Sequence, residues 1–177
     1  MELQKQKYHP LVLIFLKKAE KMAVRRAECL IADNPAIETY LRSKYKNETR
    51  MIPYGAEIPA GMDLSLIPPG LEAGKYDIIV ARMEPENNIQ TAIEAKKISK
   101  DDIPLLIIGN ENKYLHKLKK FYHNLDNIIF HEAVYDAEKL NSTRHFARYY
   151  IHGHSAGGTN PSLLEAMACE CNIISHD

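Results

Sequence analysis

Ile151-His-Gly-His-Ser-Ala-Gly-Gly-Thr-Asn-Pro-Ser-Leu-Leu-Glu165 carries the most structural information in this chain: an apolar strand runs through a glycine turn into a capped helix. Gly157 and Gly158 remove the side chains that would keep a ligand from the backbone. Thr159 or Asn160 can cap a helix whose first-turn proline is Pro161. Free amides and the positive end of the helix dipole then face whatever sits above the strand, which favours a phosphate or diphosphate. Glu165 lies about one turn further in, where a carboxylate can accept hydrogen bonds from sugar hydroxyls.

Upstream of this junction the pattern is regular from Tyr76 onward. Strands are expected at Asp77 to Ala81, Leu105 to Ile108, Asn127 to Phe130, Tyr149 to His152 and Asn172 to Ser175. Helices are expected at Asn88 to Ile98, Lys113 to Asn124, Asp136 to Phe146 and Pro161 to Ala168. Strands alternating with helices indicate an α/β fold with a parallel sheet and right-handed crossovers, whose ligands bind beyond the carboxyl ends of the strands. Arg82, Gly109, His131 and the loop from His154 to Asn160 all fall at those ends.

The front of the chain reads as a helix from Pro10 to Ala27, a strand at Cys29 to Ala32, a helix capped by Asp33 or Asn34 and running to Tyr45, and a short strand at Thr49 to Ile52. Prolines and glycines then crowd the stretch up to Gly74, which reads as a connector. The expected organisation is a partial first domain over residues 1–54, a connector over 55–74 and an incomplete second domain over 75–177. Two strands and two helices are too few for an independent sheet domain, and the chain stops right after a strand at Asp177, so a longer two-domain architecture is expected.

Composition narrows the function. The 177 residues carry 23 Lys plus Arg against 23 Asp plus Glu, so no global charge points to nucleic acid. The three cysteines, Cys29, Cys169 and Cys171, form no even framework and suggest reduced thiols in a cytosol. Cys169 and Cys171 with His152 and His154 are the raw material of a zinc site. Their spacing falls near a helix end, however, and no second ligand pair of standard spacing appears, so no metal is expected. His152 reads as a packed strand residue, and His154 as a hydrogen-bond donor at a sugar or phosphate. Residues 1–28 hold seven positive and three negative charges. The helix over residues 10–26 could touch an anionic membrane surface, or be a core helix with a solvated basic face.

Four stretches together, Ile52-Pro-Tyr-Gly-Ala-Glu57, Val80-Ala-Arg-Met-Glu-Pro-Glu-Asn-Asn88, Leu106-Ile-Ile-Gly-Asn110 and the block from His152 to Met167, resemble a retaining GT-B glycosyltransferase of family 4, and more narrowly its bacterial rhamnosyltransferase branch. The resemblance implies two Rossmann-like domains facing across a cleft, with 75–177 in the second, nucleotide-sugar-binding domain. By position, Arg82 and Glu165 are the implied catalytic residues, the arginine on the donor diphosphate and the glutamate on the ribose. His154, Ser155, Gly157, Gly158, Thr159 and Asn160 would hold diphosphate and sugar, and Tyr135 would stack on the base.

The implied reaction is transfer of a sugar, with dTDP-rhamnose the favoured donor, to a lipid-linked glycan in cell-surface polysaccharide synthesis, on the cytoplasmic side of the membrane and without a cofactor. A nucleotide-sugar-binding module that does not transfer is the alternative. Two departures stand out. The family often has a lysine five residues after the arginine, where this chain has Asn87. It also has a glutamate near Ser155 or Gly157, and its contact with sugar hydroxyls would pass to Ser155 or His154, or be absent. A dinucleotide oxidoreductase is disfavoured because Val80-Ala-Arg-Met stands where Gly-x-Gly-x-x-Gly would be, and a P-loop enzyme because the glycine loop lacks its lysine.

Overall fold

Runs such as Asp77-Ile-Ile-Val80 and Leu105-Leu-Ile-Ile108 offer apolar side chains on both faces, as a strand covered by helices on both sides requires. The computed structural model of the chain describes residues 9–99, 101–155 and 159–175 and forms two compact units, the first running to Tyr54 and also counting Thr159, the second holding the rest from Gly55 onward.

In the second unit the strands β3 (Asp77–Val80), β4 (Leu105–Ile108), β5 (Ile128–His131), β6 (Tyr149–His152) and β7 (Ile173–Ser175) form a five-stranded, wholly parallel sheet in the order β5-β4-β3-β6-β7. The helices between them are α3 (Ile89–Ser99), α4 (Lys113–Phe121), α5 (Ala137–His145) and α6 (Pro161–Ala168). The period-2 alternation of the strands sorts the core into two layers. Ile79, Leu105 and Ile107 pack with Ile89 and Ile93 of α3 and Leu115 and Leu118 of α4. Ile78, Leu106, Ile108 and Tyr150 pack on the other face with Ala166 of α6, Leu140 of α5 and Tyr76.

The chain winds outward from β3 through β4 to β5, then returns to lay β6 on the opposite side of β3. The carboxyl ends of β3 and β6 therefore flank the switch point where such sheets open a crevice. At the other end of these strands four charges form a closed cluster. Buried Asp77 accepts from Lys96 (2.9 Å) and doubly from Arg148 (2.8 and 2.7 Å), and Asp101 accepts from Lys96 (3.1 Å) and Arg148 (2.6 Å). These contacts hold the Asp101 carboxyl well below the usual carboxylate range, the backbone amide of Ile103 contributing most, then Arg148 and Lys96.

Residues expected to be a connector, 55–74, are counted in this second unit. The Asp63 amide donates to Ser142 Oγ (3.0 Å), the Gly74 amide to the Phe146 carbonyl (2.8 Å), a short 3-10 turn at Leu64–Leu66 lies beside α5, and Leu71 packs into the second core layer.

The first unit holds α1 (Pro10–Arg26), β1 (Leu30–Ala32), α2 (Pro35–Tyr45) and β2 (Thr49–Met51), with β1 and β2 parallel. Asn34 caps α2 by accepting from the Ile37 amide (2.9 Å). Glu20 ties α1 to α2 by taking Lys44 (2.8 Å), Tyr40 (3.2 Å) and Tyr45, and the Lys44 hydrogen bond leads in lowering its pKa. Val24 is the buried residue of α1, whereas Leu11, Ile14 and Phe15 are exposed.

Boundaries differ from the sequence reading by a residue or two, apart from the end of α4, which falls at Phe121 rather than Asn124. A 3-10 turn at Pro85–Asn87 precedes α3, and Asn88 sits in the left-handed region (φ 49°), so the helix starts at Ile89. Helix α4 stops at Phe121 because its carboxyl end folds into a turn in which the Leu125 amide bonds the Tyr122 carbonyl (3.1 Å).

Candidate functional site

A cavity of about 380 Å³ opens at the switch point. It is lined by the ends of β3 and β6, by Gly109 and Asn110 after β4, by Ala133 and Val134 after β5, and by the first turns of α6. That volume suits a small ligand.

The β3 end supplies Arg82. Its carbonyl accepts from the Glu84 amide (2.8 Å) and from Asn87 Nδ2 (2.7 Å), which fixes the turn and leaves the guanidinium projecting, 72% exposed and 4.0 Å from Glu84. Asn87, which the sequence comparison registers only as a lost charge, is buried and also reaches His154, its Oδ1 lying 2.8 Å from Nδ1. The next residue is fastened too, because Asn88 Nδ2 donates to the Gly153 carbonyl (2.8 Å). The loop after β3 and the loop after β6 are thus stitched together.

Two glycines permit this approach. A Cβ on Gly109 would collide with the Ala81 carbonyl and Met83, and one on Gly153 with the Asn87 carbonyl. We predict that Gly153→Ala forces these loops apart and destabilises the chain by about 1–3 kcal/mol, the range for overpacking a tight site. An unchanged urea midpoint would refute this.

The glycine junction leads into α6 through Asn160, whose Oδ1 accepts from the Ser162 amide (2.9 Å), so Asn160 is the cap. Gly157 and Gly158 lie outside the described residues. Thr159, half-buried, and Ser155, exposed, do not line the cavity, and both the amide and hydroxyl of Ser155 donate to the Glu86 carbonyl (3.1 Å each). Tyr135 is exposed, donates to Asn110 Oδ1 (2.8 Å), and does not line the cavity either.

Glu165 lines the cavity and is gripped from beneath. Arg144 on α5 is buried and places NH2 2.5 Å from Glu165 Oε2 and 3.3 Å from Ser162 Oγ, with NH1 3.2 Å from Asn141 Oδ1. Among the described residues its buried Nε has no hydrogen-bond partner. The hydroxyls of Ser162 and Tyr150 lie 2.7 Å apart beside the Val80 carbonyl, joining α6 to β6 and β3. Arg144 escaped the sequence reading: nothing in Ser142-Thr-Arg-His145 signals that its side chain meets Glu165.

His152 also lines the cavity, stacked near Tyr150 (centroids 6.4 Å) and 6.1 Å from the His154 ring. Burial first, then the neighbouring His154, lowers its pKa. Cys171 donates to the Arg144 carbonyl (3.2 Å), and burial pushes its thiol up to about 12. Among the described residues no three His, Cys, Asp or Glu side chains gather as metal ligands.

A five-stranded parallel sheet with helices on both faces matches the α/β fold of GT-B glycosyltransferase structures. Residues 70–177 match the profile of glycosyl transferases group 1, and residues 1–57 match a domain of unknown function, DUF1972. The first match spans more than half the chain, which therefore belongs to the group 1 glycosyl transferase family.

Among solved structures, the chain is similar to TarM (TM-score 0.70, 18% identity, covering 89% of this chain and 32% of that one). It is also similar to the pneumococcal O-GlcNAc transferase GtfA in complex with UDP and GlcNAc (TM-score 0.66, 16% identity, 90% and 32% covered). A third is Anabaena HepE in complex with UDP and glucose (TM-score 0.67, 17% identity, 90% and 47% covered). The chain spans between about a third and a half of the length of these proteins. No curated protein sequence matches it.

Proposed function

We propose that the cavity at the β3/β6 switch point binds the nucleotide-sugar donor of a retaining glycosyltransferase of family 4. The observation that carries this reading is the convergence on one cavity of an exposed guanidinium, the amino end of α6 and a clamped carboxylate. Arg82 and the backbone amides of the glycine junction, Gly157 to Asn160, hold the diphosphate. Glu165, fixed through Oε2, offers its other oxygen to the ribose. Ser155 borders the sugar, and Tyr135 flanks the base.

Breaking the glycosidic bond to a nucleoside diphosphate places negative charge on the leaving phosphate, and donors already aimed there stabilise that charge most in the transition state. With the leaving oxygen assisting removal of the acceptor proton on the same face, the scheme requires neither a protein nucleophile nor a metal. L-rhamnose from dTDP-rhamnose is the favoured sugar and a lipid-linked glycan the acceptor, on the resemblance of the block from His152 to Met167. A cytoplasmic site of action at the membrane's inner face fits such an acceptor. Exposed Leu11, Ile14 and Phe15 share α1 with Lys17, Lys18, Lys21, Arg25 and Arg26, a composition suited to an anionic bilayer. No helix among the described residues is long and apolar enough to cross one.

Calorimetric titration with dTDP-, UDP- and GDP-sugars tests the reading. A dTDP-sugar should bind best, and Glu165→Ala should weaken it by roughly tenfold, the value of a charged hydrogen-bond pair. Equal affinity for all three would remove the dTDP assignment, and indifference to Glu165→Ala would remove the ribose contact. Transfer of radiolabelled rhamnose to a lipid-linked acceptor separates an enzyme from a donor-binding module, and sedimentation with anionic vesicles tests α1.

A further inference from the structure

We infer that Asn87 locks His154 in its Nδ1–H tautomer, so that His154 reads a hydroxyl of the donor sugar as a hydrogen-bond acceptor and does not bind phosphate. This rests on the cavity being the donor site. The Asn87 amide has one possible orientation, because the Arg82 carbonyl 2.7 Å away can only accept, which assigns Nδ2 to that side and Oδ1 to His154. An amide oxygen can only accept as well, so the proton of the 2.8 Å contact belongs to His154 Nδ1.

In the neutral ring Nε2 then carries a lone pair. The chain on either side of His154 is held, since the Gly153 carbonyl is bonded by Asn88 and Ser155 is bonded twice to the Glu86 carbonyl. Asn87 itself is buried, which shields its side of this contact from water.

A lone pair repels phosphate oxygens, which are acceptors, and attracts a hydroxyl. His154 would bind phosphate only as the imidazolium, which has no lone pair left at Nε2. The other titratable or charged groups around this part of the cavity are His152 on β6, Arg82, Glu84 and Glu86 on the loop after β3, and Glu165 with Arg144 from α6 and α5. Of these, Glu165 is already paired with Arg144. The Nδ1–H, Nε2-acceptor form makes His154 a specificity residue for the sugar, with Asn87 its positioning residue.

The test measures dTDP-rhamnose against dTDP, and UDP-glucose against UDP, by calorimetry at pH 8 and pH 5.5, together with the imidazole nitrogen shifts of His154 by NMR. His154→Asn, which keeps a polar group only at the Nδ1 position, should weaken the nucleotide sugar by roughly 5- to 10-fold and leave the bare nucleotide unchanged. His154→Gln, which keeps an acceptor at the Nε2 position, should restore it. Acidification should weaken dTDP-rhamnose binding to the wild type relative to His154→Gln, and Asn87→Leu should erase the single-tautomer NMR signature.

Equal losses for nucleotide and nucleotide sugar in His154→Asn, tighter binding on acidification relative to His154→Gln, or a protonated Nε2 in the neutral ring would each overturn this inference while leaving the donor site standing. Failure of the wild type to bind any nucleotide would overturn both.

Discussion

Arg82→Ala is expected to weaken dTDP- and UDP-sugar binding by roughly 10- to 150-fold while leaving the thermal stability of the chain unchanged. The first half follows from what a guanidinium gives a diphosphate: a bidentate, charge-assisted contact worth about 1.5–3 kcal/mol. The second half follows from its surroundings. Arg82 is 72% exposed and its salt contact with Glu84 is 4.0 Å long, so its side chain supports little of the fold. The backbone of the turn is held through its carbonyl, by the Glu84 amide and Asn87, and alanine keeps that carbonyl. Arg82→Lys should recover only part of the affinity, since an ammonium supplies charge without the planar fork. An arginine that merely decorates the surface would give neither effect, and calorimetry on the two variants separates the cases.

Asp77→Ala should have the largest effect on stability, a loss of about 3–5 kcal/mol, the cost of stranding a buried charge. Asp77 meets both Lys96 and Arg148, and Lys96 is itself only 6% exposed. Without Asp77 the buried ammonium retains Asp101 alone, a partner 3.1 Å away that sits nearer the surface. Since Asp77 opens β3, which pairs with β4 and β6 and ends at Val80, just before Arg82, loosening it also disturbs the cavity from the opposite end of the sheet. Arg148→Ala should cost less, because that side chain is 30% exposed and Lys96 remains paired to Asp77. Urea unfolding of the two variants gives the comparison, and a loss for Asp77→Ala no larger than that for Arg148→Ala would show that the cluster is not a buried unit.

The sheet could be read from the sequence because its strands are short, almost purely apolar, and separated by helices with clear caps: Asn112 for α4, Asp136 for α5 and Asn160 for α6. The sequence puts Arg82, His154 and Asn160 in loops beyond the carboxyl ends of parallel strands and Glu165 on the helix that follows, and all four line one cavity. What remained hidden depends on tertiary packing. Residues 63–74 have the prolines and glycines of a linker, and only their hydrogen bonds to Ser142 and Phe146 reveal that they lie on α5. Asn87 and Arg144 act through side chains that meet residues 67 and 21 positions away, contacts that no local spacing encodes. Tyr135 sits at the expected strand end, but its bond to Asn110 could not be foreseen.

The claim beneath all of this is that a nucleotide-linked diphosphate rests at the carboxyl ends of β3 and β6. Backbone NMR of the labelled chain during titration with dTDP-rhamnose tests it most directly. Shifts confined to Arg82, Gly109, Asn110, His154, Ser162 and Glu165 and their neighbours are the predicted result. A saturable response centred on Asp77, Lys96 and Arg148 at the far end of the sheet, or no response at all, would contradict it.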